Sequence, residues 1–256
     1  MKTHLKHFAI FAFLGLASFS CSNDDNPTGN APVISGFEYG EGSSHSTEPV
    51  AYKGSDLHME AEILAENTIS SITVDIHAHD LTPAEDEVEW DFEKTYTDAK
   101  YQVINADFHE HIDIPENIPT GKYHVTLTVT DKLGNSTEIE GHIDILPPVA
   151  LSSFSVDSSV QRGNDFHAEF FINAVHGIHN ITVDVHAHGL TPATGEVEWH
   201  FDKIFEEGYH GKTEVEFHEH IDVPETAPVG EYHITFTVED EAGNTAEYET
   251  HIDVTP

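Results

Sequence analysis

ITVDIHAHDLTPAEDEVEW, residues Ile72–Trp90, returns as ITVDVHAHGLTPATGEVEW, residues Ile181–Trp199, with 15 of 19 positions identical. In the first copy Ile72, Val74, Ile76 and Ala78 alternate with Thr73, Asp75, His77 and His79. Successive side chains of a strand leave opposite faces, so this stretch is a β-strand with one apolar and one polar face. His77 and His79 share the polar face. A second His-x-His pair, His109 and His111 in FHEHIDIP, has the same parity and returns as His218 and His220.

The correspondence extends through most of the chain. His58, His77, His79, His109, His111, His124 and His142 match His167, His186, His188, His218, His220, His233 and His251, each 109 residues later. Only the first strand region breaks it, where Gly40–Pro49 adds residues that Asp157–Gln161 lacks. Pro147 and Pro148 stiffen a short linker and divide the chain into residues 32–147 and 148–256. Each repeat reads as about seven strands. In the first they lie near Val33–Tyr39, Asp56–Leu64, Ser70–His79, Val88–Tyr96, Val103–Ile114, Lys122–Thr130 and Thr137–Ile145. No window of helical length shows a clear 3.6-residue period. The predicted fold is all-β: two tandem immunoglobulin-like β-sandwich domains.

Residues 1–20 read as a lipoprotein signal peptide. Lys2 and Lys6 precede an apolar Phe8–Phe19 that is too short to span a bilayer as a helix. Ser18-Phe19-Ser20-Cys21 resembles a lipidation box, with Ser18 where leucine is usual. Cys21, the sole cysteine, is the expected lipid anchor and membrane contact, and residues 21–31 form a flexible tether. Asp24 and Asp25 resemble the acidic signal that sends some lipoproteins of Bacteroidota to the outer face of the outer membrane. The expected location is therefore the outer membrane, lipid-anchored, facing the cell surface or the periplasm. With no cysteine pair, stability must come from burial. The formal net charge of −37 repels nucleic acid and attracts cations.

The stretch from Gly121 to Asp131, followed by Gly134-Asn135, resembles the penultimate strand and final hairpin of bacterial immunoglobulin-like and polycystic-kidney-disease-type domains. Tyr123 sits where those domains place a strand-entry tyrosine. The combined motifs G-S-D-L-H, H-x-H, E-W-x-F, F-H-E-H-I-D-I-P and G-x-Y-H resemble an uncharacterised, domain-of-unknown-function family of tandem Ig-like lipoproteins of Bacteroidota type. That resemblance implies a fold and a location and supplies no activity.

In an immunoglobulin sandwich the third strand lies beside the sixth, and the second beside the fifth. By that analogy His77, His79 and His124 meet on the outside of one sheet, and His58, His109 and His111 on the outside of the other. Copies are expected at His186, His188 and His233, and at His167, His218 and His220. Strand spacing of about 4.8 Å lets such imidazoles converge on a divalent ion at roughly 2.0–2.1 Å. Asp75, Asp144, Glu60 and Asp113 are candidate further or outer ligands. Zinc and copper both suit imidazole. The pair His77, His79 with His124 ranks first, because central strands have pinned register. Glu110 and Glu219 carry inward parity, which points to a bulge or a sheet end. Asp131 and Asp240 read as turn formers, and His176, His179, His200 and His210 as surface variation.

The leading expectation is a cell-surface lipoprotein that binds divalent transition metal without catalysis. The alternative is a structural or adhesive module with an outer-membrane or cell-surface protein partner, its histidines incidental. The chain holds no G-x-S-x-G, H-E-x-x-H or phosphate-loop pattern, so no enzyme chemistry is expected.

Overall fold

The computed structural model describes residues 29–256; the expected leader and Cys21 lie outside the described residues. The first domain holds β1 (Val33–Glu41), β2 (Val50–Tyr52), β3 (Asp56–Leu64), β4 (Ile69–Ala78), β5 (Asp91–Tyr96), β6 (Asn105–Asp113), β7 (Gly121–Asp131) and β8 (Ser136–Leu146). The second holds β9 (Val149–Val156), β10 (Ser159–Gln161), β11 (Asp165–Ala174), β12 (Ile178–Ala187), β13 (His200–Phe205), β14 (Glu214–Asp222), β15 (Gly230–Asp240) and β16 (Thr245–Thr255). A three-stranded sheet, β1-β3-β6, packs on a five-stranded sheet, β2-β8-β7-β4-β5. The second domain repeats this as β9-β11-β14 and β10-β16-β15-β12-β13. The protein is thus two tandem immunoglobulin-like sandwiches, with β4 beside β7 and β3 beside β6, all antiparallel.

The period-two alternation builds the cores. Along β7, Tyr123, Val125, Leu127 and Val129 are buried while His124, Thr126, Thr128 and Thr130 face outward. Tyr123 donates its hydroxyl to the Pro119 carbonyl at 2.8 Å, and Tyr232 to Pro228 at 3.0 Å. This is the tyrosine corner of immunoglobulin-like folds, and it gives a buried hydroxyl the partner it needs. The two cores are filled differently. Leu57, Met59, Ala61 and Leu127 in the first correspond to Phe166, Ala168, Phe170 and Phe236 in the second. Ala168 in place of Met59 helps make room for Phe170, which stacks on Phe217 at 4.8 Å.

Three features depart from the sequence expectations. The three-residue strands β2 and β10 pair parallel to β8 and β16, and are too short to show a period. Val88, Glu89 and Trp90 precede β5 rather than joining it, and the Val88 N–H is taken by the Asn117 carbonyl at 2.8 Å. Glu110 sits on no bulge: β3 and β6 keep continuous register through Met59 and Glu110. Its carboxylate instead accepts bonds from Lys100 Nζ at 2.7 Å and the Tyr101 hydroxyl at 2.6 Å, and Glu219 accepts from Tyr209. Burial pushes the Glu110 carboxyl up, but these two donors outweigh it and hold it below the usual range.

Candidate metal-binding faces

On the outside of the five-stranded sheet, register sets a row of imidazoles. His77 lies opposite His124, and His124 opposite His142. His186, His233 and His251 form the same row in the second domain. Directly opposed residues in neighbouring strands stand close enough for their side chains to touch. The His77 and His124 rings stack at 5.2 Å and the His124 and His142 rings lie at 4.4 Å.

Of the trio expected first, the structure gathers His79 and His124 with His142, whose ligating atoms lie within 4.8 Å of one another. His79 Nδ1 and His124 Nε2 are in direct contact. His77 lies outside that converging group. Its Nδ1 is 2.5 Å from Asp75 Oδ1, which fixes the ring and leaves Nε2 with its lone pair. Asp144, on the same side, pairs with Lys122 at 2.9 Å. Burial, then the neighbouring His142, His79 and His77, push His124 below the usual histidine value. A neutral ring is the form that ligates metal.

The copy differs beside this row: His200 stands opposite His186, where the first domain has Asp91 opposite His77. Glu231 replaces Lys122 and its carboxylate sits 2.8 Å from His188 Nδ1, so His188, Glu231 and His251 form the converging group. His186 again rests on an aspartate, Asp184, at 2.6 Å, and its ring lies 5.2 Å from His233.

On the three-stranded sheet, His58 lies opposite His111, and Glu60 opposite His109. His58 points away from the core, as its parity requires, yet its side chain is only 2% exposed. The cover is the segment after β1. Gly40 lies directly opposite His58 and has no side chain, so the chain folds back over it. A Cβ on Gly40 would stand 2.3 Å from the Glu48 carbonyl oxygen. Glu41 holds the turn through the backbone N–H groups of Ser43 at 2.8 Å and Ser44 at 2.9 Å and through both hydroxyls. Burial raises the Glu41 carboxyl, but these four donors bring it down to about 2. This turn delivers His45 onto His58, with ring centres 4.4 Å apart. Burial, then His45 and His109, push His58 below its ordinary value.

The second domain has Asp157 in place of that turn, accepting the His167 N–H at 2.9 Å. His167 is therefore 25% exposed, and groups with Glu169 and His218. His220 sits on Asp165 at 2.5 Å and His111 on Asp56, in the same arrangement. Asp56 and Asp165, rather than Asp113, are the outer carboxylates.

Sequence reasoning missed His45, His142 and the trio His179, His210 and Glu241, which converge at one end of the second domain. His142 was legible as a repeated outward histidine, and only its adjacency to β7 was overlooked. His179 and His210 read as surface variation because they do not recur. Asp131 and Asp240 are turn formers: each accepts two backbone N–H bonds and an asparagine side chain.

The architecture defines a tandem β-sandwich with histidine-bearing outer faces. The chain belongs to the family described as a domain of unknown function, DUF4625, whose model matches residues 19–146 and 147–255. No curated protein matches the sequence. Among solved structures, the native conformation of Escherichia coli alpha-2-macroglobulin is similar at TM-score 0.38 and 10% identity, over 90% of this chain and 17% of that one. A 1.5-MDa bacterial ice-binding adhesin, studied for its retention on the host cell surface, is similar at TM-score 0.35 and 11% identity, over 89% and 66%. A tetra-tandem repeat from the extending region of a large adhesion protein follows at TM-score 0.33 and 10% identity, over 86% and 50%. This chain spans only part of the length of each.

Proposed function

We propose that this protein is a lipid-anchored module of the outer membrane that binds divalent transition-metal ions, zinc or copper, on the outer faces of its sandwiches, without catalysis. The observation that carries this reading is the row His77, His124 and His142, repeated as His186, His233 and His251. Three adjacent strands place an imidazole at one level of the sheet, and His79 or His188 adds another beside it. Imidazole nitrogens are borderline-soft donors suited to zinc, copper and nickel. The formal charge of −37 concentrates cations around these faces.

Calorimetric titration of the full chain with zinc and with copper tests it. Binding is expected, and it weakens as pH falls through about 6.5, where free imidazoles protonate. Replacing His79, His124, His188 and His233 by Gln should remove the face sites. Unchanged stoichiometry in that variant overturns the assignment. Anchoring is tested separately: Cys21→Ala should release the protein to the soluble fraction, and full membrane retention overturns it.

A structural or adhesive role is the second reading, favoured by Phe171. It is 50% exposed on the outer face of β11, where the first domain has Glu62, and lines an open groove with Ser152, Asn173 and Val215. An exposed aromatic among polar groups suits a protein partner. Under this reading Phe171→Ser lowers binding of the chain to outer-membrane fractions and leaves the zinc titration unchanged. Equal binding by the variant excludes it.

A further inference from the structure

We infer that His45, His58, His109 and His111 form a closed, four-imidazole site for a tetrahedral divalent cation of the zinc class, present in the first domain alone. The inference rests on the reading of these faces as metal-binding, and adds a ligand, a geometry and a difference between domains.

Ring geometry is the first observation. The six distances between the four ring centres are 4.4, 5.5, 5.2, 4.7, 5.3 and 5.5 Å. A metal–nitrogen bond of roughly 2.0–2.1 Å puts each ring centre about 3.2 Å from the ion, and tetrahedral placement then separates ring centres by about 5 Å. The observed spread brackets that value. One ligand atom from each residue already lies within 4.8 Å of the others.

His58 is the second observation. It is buried, and its Nδ1 has no hydrogen-bond partner among the described residues. Leaving a buried polar atom unpaired is disfavoured, and a metal ion among the four rings would satisfy it. Glu60 lies 3.5 Å from the other nitrogen of the same ring. Asp56 holds His111 by Nδ1, which leaves its Nε2 for the ion, the usual carboxylate–histidine support of a metal ligand.

His45 is the third. Its φ is 50°, in the left-handed region that a residue with a Cβ seldom occupies. The turn of Glu41, Ser43 and Ser44 and the bare backbone of Gly40 hold it there. With four protein ligands the site has no open position, which is the form of a structural zinc site rather than a catalytic one. Copper(II) prefers tetragonal geometry, so this site discriminates against copper more than the open sheet faces do.

Cobalt(II) added to the full chain reads the geometry directly, because tetrahedral cobalt absorbs intensely in the visible and six-coordinate cobalt weakly. The intense band should saturate at one equivalent and be displaced by zinc. His45→Gln changes an exposed turn residue outside the sandwich core. It should abolish the band and weaken the tightest zinc site by at least about ten-fold, the loss typical even of an outer supporting residue. The variant carrying His79→Gln and His142→Gln should retain the band. Zinc should also slow hydrogen exchange at Gly42–Glu48 in the wild type and not in His45→Gln. A weak six-coordinate spectrum, or an intense band that survives His45→Gln, overturns the site. If zinc still binds the sheet faces in that case, the proposed function stands and only this site fails. No binding of either ion anywhere overturns both.

Discussion

The two domains share strand order and seven paired histidines, yet one outer face is covered in the first and open in the second. In the first, the turn after β1 closes over the three-stranded sheet and hides His58; in the second, Asp157 ends β9 and leaves His167 open. Strand parity alone puts both histidines in water. Whether an outward residue is wet or buried is therefore decided by the connecting segment, and here by the absence of a side chain at Gly40.

Differences between the domains can be broken or sharpened by substitution. The largest effect is expected in the cores. Phe236→Ala should destabilise the second domain by about 3–5 kcal/mol, and Leu127→Ala the first by about 2–5 kcal/mol. Each domain has its own apolar cluster. Calorimetry should therefore show one transition moving in each variant, and simultaneous movement of both would show a shared core.

Next comes Gly40→Val, which drives a side chain into the backbone at Ser46 and Glu48. A loss of about 1–3 kcal/mol is expected from such overpacking. Proteolysis between Ser43 and Ser46 should quicken; an unchanged cleavage rate would show that the turn does not depend on Gly40.

The first domain should also be sensitive to acid. Burial raises the Asp131 carboxyl, but Asn135, Asn67 and the N–H groups of Asn135 and Leu133 hold it below its ordinary value of 3.8. A depressed acid contributes stability that is complete above its unfolded value and is lost as pH falls through its folded one. The first transition should therefore weaken below about pH 4, and Asp131→Asn should flatten that acid limb while lowering stability at neutral pH. An acid limb unchanged in Asp131→Asn would assign the sensitivity elsewhere.

The smallest effect concerns Lys122 and Glu231, one position at which the two five-stranded faces differ. Lys122→Ala removes an exposed pair with Asp144 and should cost about 0.2–1 kcal/mol. Its informative counterpart is Glu231→Lys, which should lower zinc affinity at His188 and His251 without altering the melting temperature of the apo-protein. Equal affinity would exclude Glu231 as a ligand.

The fold was legible because alternation is local: Tyr123 to Val129 announce their burial in the order they occur. The pairing of His77 with His124 was also legible, since the immunoglobulin order brings those strands together. His142 needed one more step across the sheet. His45 was not legible, because it lies in an aperiodic turn absent from the second repeat and meets His58 only through the backbone crossing at Gly40. Glu110 misled by parity: an inward acid suggested a bulge, whereas Lys100 and Tyr101 supply its partners from a loop.

The Gly40–His58 crossing also bears on how such a protein can change over generations. Most of the cover over His58 is the connection between β1 and β2 and not a strand. It differs between the domains while the pairing of β3 with β6 and of β11 with β14 keeps one register. A duplicated domain can therefore acquire or discard a covered outer-face histidine by a single insertion or deletion, while its core, corner and hairpins stay as they were.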